Sequence, residues 1–195
     1  IEVQGSDHKG GLATEQLRKV GCSVFLGHGS DNLAGAKTVV ISSAIGDENT
    51  ELIAAESCGL RVLHRSDILA QIMDHFRTVA ITGTHGKTTT SALIAYVAEQ
   101  VGASPCFIGG GHLTAWNSNW RVGNSDVLIV ECDESDGTIS KYVSEVGVIS
   151  NLERDHMDFY RDEAHQLEVF QQFVDHIRPE GCLLLGWDSK QLRQL

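Results

Sequence analysis

The stretch TVAITGTHGKTTTSALIAYVAEQVG, residues 78–102, decides the fold. A short apolar run, Val79–Ile81, leads into a glycine-rich turn, Gly83–Thr84–His85–Gly86–Lys87–Thr88–Thr89. An amphipathic helix follows over residues 89–101 and stops at Gly102. Strand, glycine turn and helix in this order make an anion cradle. Glycines let backbone N–H groups curl around phosphate oxygens, and the helix N-terminus adds a favourable dipole. Lys87 can reach terminal phosphates, and the Thr88 hydroxyl can ligate Mg²⁺. The pattern G-x-x-x-x-G-K-[ST] is not met in full, because Ile81 stands where its first glycine would fall and the glycine is at 83.

Working outward, strands and helices alternate on both sides. Downstream, DVLIVEC (126–132) is the most apolar strand, and residues 146–152 form another. Residues 163–178 have helical spacing, with Leu167, Phe170, Phe173, Val174 and Ile177 on one face. Pro179 and Gly181 should break that helix before a last strand at 182–185. Upstream, residues 23–26, 38–41 and 61–64 read as buried parallel strands. Helices are predicted over 12–20, over 50–58 capped by Asn49, and over 67–74 capped by Ser66. The expected class is α/β: a Rossmann-like parallel-sheet domain at 1–76, then part of a P-loop ATPase-type parallel-sheet domain at 77–195. The first domain should contain one small parallel sheet. Residues 2–7 look like the end of a second strand, with no glycine-rich βα turn before them, so we expect an N-terminally trimmed domain.

Two further clusters follow strand ends, where parallel sheets bind ligands. Residues 131–136, ECDESD, hold four carboxylates in six positions. Such a crowd repels itself and suits a cation. Residues 151–158 carry His156 between Asp155 and Asp158; a neutral imidazole is a plausible metal ligand. A solvated acidic turn and an ordinary surface Asp-His pair are the plain alternatives.

Charge and cysteines exclude other classes. The 195 residues carry a formal charge of −11, against a nucleic-acid partner or an anionic membrane surface. No apolar run approaches the ~20 residues of a transmembrane helix, and the first residues lack a leader's basic-then-apolar pattern. Cys22, Cys58, Cys106, Cys132 and Cys182 are scattered and form no C-x-x-C. We expect buried, reduced thiols in a cytoplasmic protein rather than a disulfide scaffold or zinc site.

Together, GTHGKTTT (83–90), ECDESD (131–136) and SNLERDHMD (150–158) resemble the Mur ligase family of peptidoglycan synthesis. GSD at 5–7 and VVISSAI at 39–45 extend the resemblance from about residue 3 to the end. Ser135 in DESD favours the branch that joins L-alanine to UDP-N-acetylmuramate over the murein-peptide recycling branch. The resemblance implies ATP and Mg²⁺ as cofactors. It implies that residues 83–89 (Gly83, Thr84, His85, Gly86, Lys87, Thr88 and Thr89) bind ATP, and that Lys87, Glu131 and His156 are catalytic. Thr88 and Glu131 would hold Mg²⁺, and His156 a second ion. Gly110, within Gly109–Gly111, Ser135 and Asn151 would lie near the muramyl substrate. Ser6, Asp7, His28, Ser42 and Ser43 would face the UDP moiety. Some sister ligases use a carbamylated lysine downstream; no lysine stands between Lys141 and Lys190 here, so that device cannot operate in this segment. The family's other parts imply a chain longer at both ends. A UDP-sugar- or nucleotide-binding module without turnover, and an unrelated phosphate-loop kinase, are the competing expectations.

Overall fold

The computed structural model describes residues 1–195 as two units, Ile1–Ile68 and Leu69–Leu195. The first contains β1 (Gln4–Asp7), α1 (Leu12–Lys19), β2 (Ser23–Leu26), β3 (Thr38–Ile41), α2 (Thr50–Ser57) and β4 (Arg61–His64). Asn49 caps α2 as expected, its side chain accepting from the N–H groups of Glu51 and Leu52. The strands form two separate parallel pairs, β1–β2 and β3–β4, not the single sheet expected from the βα alternation. Each strand is only four residues long, and Leu52 and Ala55 are the buried apolar side chains of this unit. Apolar burial alone does not draw the pairs into one sheet.

Helix α3 (Arg65–Met73) begins one residue before the predicted Ser66 cap. His64 supplies the cap instead. Its ring Nδ1 lies 3.3 Å from the Ser66 N–H and 2.7 Å from the Ser66 hydroxyl, while Asp67 accepts the His64 N–H at 3.0 Å.

The second unit continues with β5 (Arg77–Thr82), α4 (Lys87–Gln100), β6 (Cys106–Leu113), β7 (Ser118–Arg121), β8 (Val127–Glu131), β9 (Ser144–Ile149), α5 (Glu163–Asp175) and β10 (Ile177–Leu185). Its six-stranded sheet has the order β10-β9-β5-β8-β6-β7, parallel except for the β6–β7 pair. Period-two alternation divides the strand side chains between two faces. Ile81 and Ile129 join Ala95 of α4 and Phe107 in one buried cluster. Ala80, Leu128 and Val130 join Phe170 and Phe173 of α5 in the other. Buried on both faces, β5 and β8 read as continuous apolar runs.

The hairpin β6–β7 is absent from the sequence expectation, because Gly109–Gly111 and the polar residues after it mask the strand signal. Helix α5 ends at Asp175, so Ile177 opens β10 instead of completing the helical face. β10 also runs through Pro179, with irregular pairing between Ile177 and Cys182. As an edge strand it tolerates a residue with no ladder N–H. The cysteines are unbridged, but only Cys132 is buried; Cys58 and Cys182 are exposed. Cys58 caps the exposed end of α2 and Cys182 lies on edge strand β10, which explains the difference. No helix is long and apolar enough to cross a membrane.

Candidate functional site

Strand order creates the site. β5 lies between β8 and β9, with Ile81 paired to both Glu131 and Val148. The segments after these three strands therefore emerge side by side at the carboxyl edge of the sheet. They are 83–86, 132–136 and 150–158.

The glycine loop is seated on the third segment. Thr84 N–H donates to Asn151 O at 3.1 Å, and the Asn151 amide exchanges two 2.8 Å hydrogen bonds with the His85 backbone. Ser150 Oγ donates to His85 O at 2.6 Å. Gly83, at φ +130°, has no room for a side chain: a Cβ would stand 2.3 Å from Ser150 Oγ and 2.9 Å from Asn151 O. Gly86, at φ +80°, precedes α4 with open space around it. The loop N–H groups are thus held in a fixed cradle at a helix N-terminus, suited to phosphate.

Lys87 folds back over this cradle. Its ammonium donates to Gly83 O at 2.8 Å, Thr84 O at 3.2 Å and Glu134 Oε1 at 3.0 Å. Glu134 Oε2 is closer, 2.8 Å, but at an angle that makes no hydrogen bond. Glu134 is fully buried, and burial pushes its carboxyl pKa up against the pull of Lys87. The buried Tyr160 hydroxyl donates to the Glu134 backbone carbonyl.

Thr88 Oγ1 donates to Glu131 Oε1 at 2.8 Å, and Gly110 N–H donates to Glu131 Oε2 at 2.6 Å. These oxygen donors suit a hard cation such as Mg²⁺, which keeps several waters and needs few protein ligands. His156 has φ +55°, an uncommon left-handed conformation for a non-glycine residue. Its Nε2 lies 3.6 Å from Glu134 Oε1 and 3.8 Å from Asp155 Oδ2. No three His, Cys, Asp or Glu side chains converge into a ready-made metal cage. Ser135 N–H donates to Asp133 Oδ1 at 3.2 Å, within the acidic turn. Thr89 lies in the first turn of α4.

In the first unit, Ser6 Oγ meets His28 Nδ1 at 2.8 Å and donates to Glu51 Oε2 at 2.6 Å. Glu51 also accepts from Asn32 Nδ2 at 2.6 Å and Gly29 N–H at 3.2 Å. Burial raises the Glu51 pKa, but the hydrogen bonds from Ser6, Asn32 and Gly29 and the nearby His28 outweigh it and hold the carboxyl below its usual value. Asp7 accepts the Lys9 N–H at 2.8 Å. Ser43 Oγ lies 3.1 Å from His64 Nε2, while Ser42 O accepts the Ile45 N–H at 3.0 Å. Sequence reasoning missed Glu51, Asn32, Glu134, Tyr160 and Ser150. Glu134 and Ser150 lay inside quoted motifs, so their positions were visible; Tyr160 and Asn32 carried no signal.

Comparison with known proteins gives matches along both parts of the chain. The Mur ligase family catalytic-domain model matches residues 1–77, and the Mur ligase middle-domain model matches residues 81–195. A UDP-N-acetylmuramate--L-alanine ligase from Carboxydothermus hydrogenoformans is 41% identical over 99% of the chain and 42% of its own length. The chain is also similar to two solved structures, each at 26% identity. One is the UDP-N-acetylmuramate:L-alanyl-gamma-D-glutamyl-meso-diaminopimelate ligase from Neisseria meningitides, with a TM-score of 0.90 over 100% of this chain and 66% of that one. The other is the UDP-N-acetylmuramate-alanine ligase from Thermotoga maritima, with a TM-score of 0.87 over 98% of this chain and 45% of that one.

Proposed function

The chain belongs to the Mur ligase family, and from that premise we propose that it is part of an ATP-dependent ligase joining L-alanine to the lactyl carboxylate of UDP-N-acetylmuramate in peptidoglycan precursor synthesis. The observation that carries the proposal is the meeting of Lys87, Thr88, Glu131, Glu134 and His156 beyond adjacent parallel strands. The 41% identity to an L-alanine ligase supports L-alanine as the acceptor. The chain spans less than half the length of that relative, so the reaction is assigned to the whole protein.

A carboxylate is a poor electrophile. Transfer of the ATP γ-phosphoryl group to it gives an acyl phosphate and ADP. The L-alanine amine then attacks the carbonyl carbon, expels inorganic phosphate and loses a proton as the amide forms. The first step needs positioning and charge neutralisation above all. In this assignment the N–H groups of residues 83–89 and the Lys87 ammonium cradle and neutralise the phosphates. Thr88 and Glu131 would hold Mg²⁺ and His156 a second ion, supplying positive charge beside the transferring group. Gly110, Ser135 and Asn151 border the muramyl end. Ser6, Asp7, His28, Ser42 and Ser43 serve the UDP moiety, in a domain at 1–76 that precedes the ATP-binding domain at 77–195. The net charge of −11 fits a protein working in the cytoplasm on small molecules rather than on nucleic acid.

Phosphate release by the full-length protein tests this. It should require ATP, Mg²⁺ and UDP-N-acetylmuramate and rise with L-alanine, and Lys87→Ala should abolish it. Stimulation by a murein tripeptide alone would move the assignment to the recycling branch. Normal turnover by Lys87→Ala would remove the phosphate-loop role.

A further inference from the structure

An ammonium has three N–H donors. In this structure all three of Lys87's are taken by the protein itself: Gly83 O, Thr84 O and the Glu134 carboxylate. A phosphate can engage Lys87 only by replacing at least one of these acceptors. The two carbonyls belong to the loop that would wrap the phosphate. The third acceptor is a separate, negatively charged group, and the other end of its residue is fixed. Its backbone carbonyl accepts from the Tyr160 hydroxyl and from the Gly137 N–H at 3.0 Å. Its side chain is fully buried, against 15% exposure for that of Lys87. The carboxylate is therefore a rigid anion and the lysine the mobile partner.

We propose that Glu134 is a positioning residue of the phosphate loop, an internal anion that holds Lys87 and is displaced when a polyphosphate takes the ammonium. The proposal rests on the phosphate-loop assignment above and adds to it a competitor for the same lysine. Two features support competition over a purely structural ion pair. The pair stands at the mouth of the loop, on the atom that the phosphates need. And a replacement partner is in reach, since His156 Nε2 lies 3.6 Å from Glu134 Oε1. Lys87 can thus leave without isolating the carboxylate in an apolar interior, the situation that makes breaking a buried pair so costly elsewhere. The exchange would link phosphate engagement to the position of His156, the second candidate cation ligand.

The test is calorimetric titration of the chain with tripolyphosphate, free of divalent cations and at fixed ionic strength. Tripolyphosphate probes the loop without needing an adenine pocket. Relative to wild type, Glu134→Gln should bind about tenfold tighter or more, because a charge-assisted hydrogen bond that opposes binding is gone. Glu134→Asp, with its carboxylate drawn back by one methylene, should bind tighter by a smaller factor. Lys87→Ala should lose binding, and the Lys87→Ala/Glu134→Gln double variant should match it. Binding detectable only in Glu134→Gln supports the proposal equally. A lesion of the fold would weaken binding, so tightening separates displacement from a structural role. If Lys87→Ala loses affinity while Glu134→Gln binds no more tightly than wild type, Glu134 does not compete and the proposal fails alone. If Lys87→Ala binds as well as wild type, the phosphate-loop assignment fails first. Circular dichroism checks folding. Should Glu134→Gln not fold, the direction of change in Glu134→Asp decides by the same criterion.

Discussion

Replacing Gly83 with alanine should damage the second unit far more than the same change at Gly86, and the two glycines separate strain from crowding. At Gly83 the backbone sits at φ +130°. An L-residue there carries about 1–3 kcal/mol of backbone strain. The new Cβ would also stand 2.3 Å from Ser150 Oγ, 2.9 Å from Asn151 O and 3.0 Å from Ser150 N. Forcing a methyl group into such packing costs a further ~1–3 kcal/mol. At Gly86, φ is +80° and a Cβ meets nothing within 4 Å, so only strain of about 1–2 kcal/mol remains. Gly83→Ala should therefore cost about 2–6 kcal/mol and, with similar strain at both positions, exceed Gly86→Ala by the crowding contribution of ~1–3 kcal/mol. Urea unfolding followed by tryptophan fluorescence is the assay. Trp116, Trp120 and Trp187 all lie in the second unit, so the signal reports that unit alone. A double-mutant cycle with Ser150→Ala refines the cause. Removing Ser150 Oγ relieves the closest contact but leaves Asn151 O, so Gly83→Ala/Ser150→Ala should cost less than the two single changes together, by about 1 kcal/mol. Equal losses at Gly83 and Gly86, within about 0.5 kcal/mol, would refute the claim that the loop is pressed against the segment after β9.

Acid should loosen the first unit through Glu51. Its folded pKa is lowered, so its stabilisation is complete above the unfolded value near 4.5 and disappears as pH falls through the folded value. Hydrogen-exchange protection of α2 amides should drop on acidification in the wild type. In Glu51→Gln it should already be reduced at neutral pH, by about 2 kcal/mol, with little further acid loss; an equal acid drop in both proteins would argue against the Glu51 clasp. Thiol labelling at pH 8 should modify Cys58 and Cys182 rapidly in the folded chain. Cys132, fully buried and with its thiol pKa pushed up by burial and the adjacent Glu131 and Asp133, should react only after unfolding; fast labelling of Cys132 would contradict the packing of β8.

The glycine loop, the acidic turn and the His156 segment were legible because each is contiguous in the chain and follows an apolar strand. What joins them was not. A default based on chain order places β6 beside β5, since consecutive strands usually neighbour each other. Instead β8 lies between them, and β9 takes the other side of β5. No local pattern in the residues around Gly109–Gly111 announces that arrangement, and the same glycine run hid β6 itself. Glu51 illustrates the same limit: an acid in the first turn of a helix reads as a dipole partner. Its real work is to tie Ser6 of β1 and Gly29 and Asn32, which follow β2, to the first turn of α2. Glu134 is the sharpest case. Four carboxylates in six residues look interchangeable on paper, and period-two alternation marks Glu131 and Asp133 as the pair on one side. Once β8 ends, the alternation ends with it, and the turn sends Glu134 inward to Lys87 while Glu131 meets Thr88. One acidic residue is thus committed to the lysine and another to the hydroxyl, a division of labour that depends on β5 and β8 being neighbours and that no reading of the acidic turn in isolation could assign.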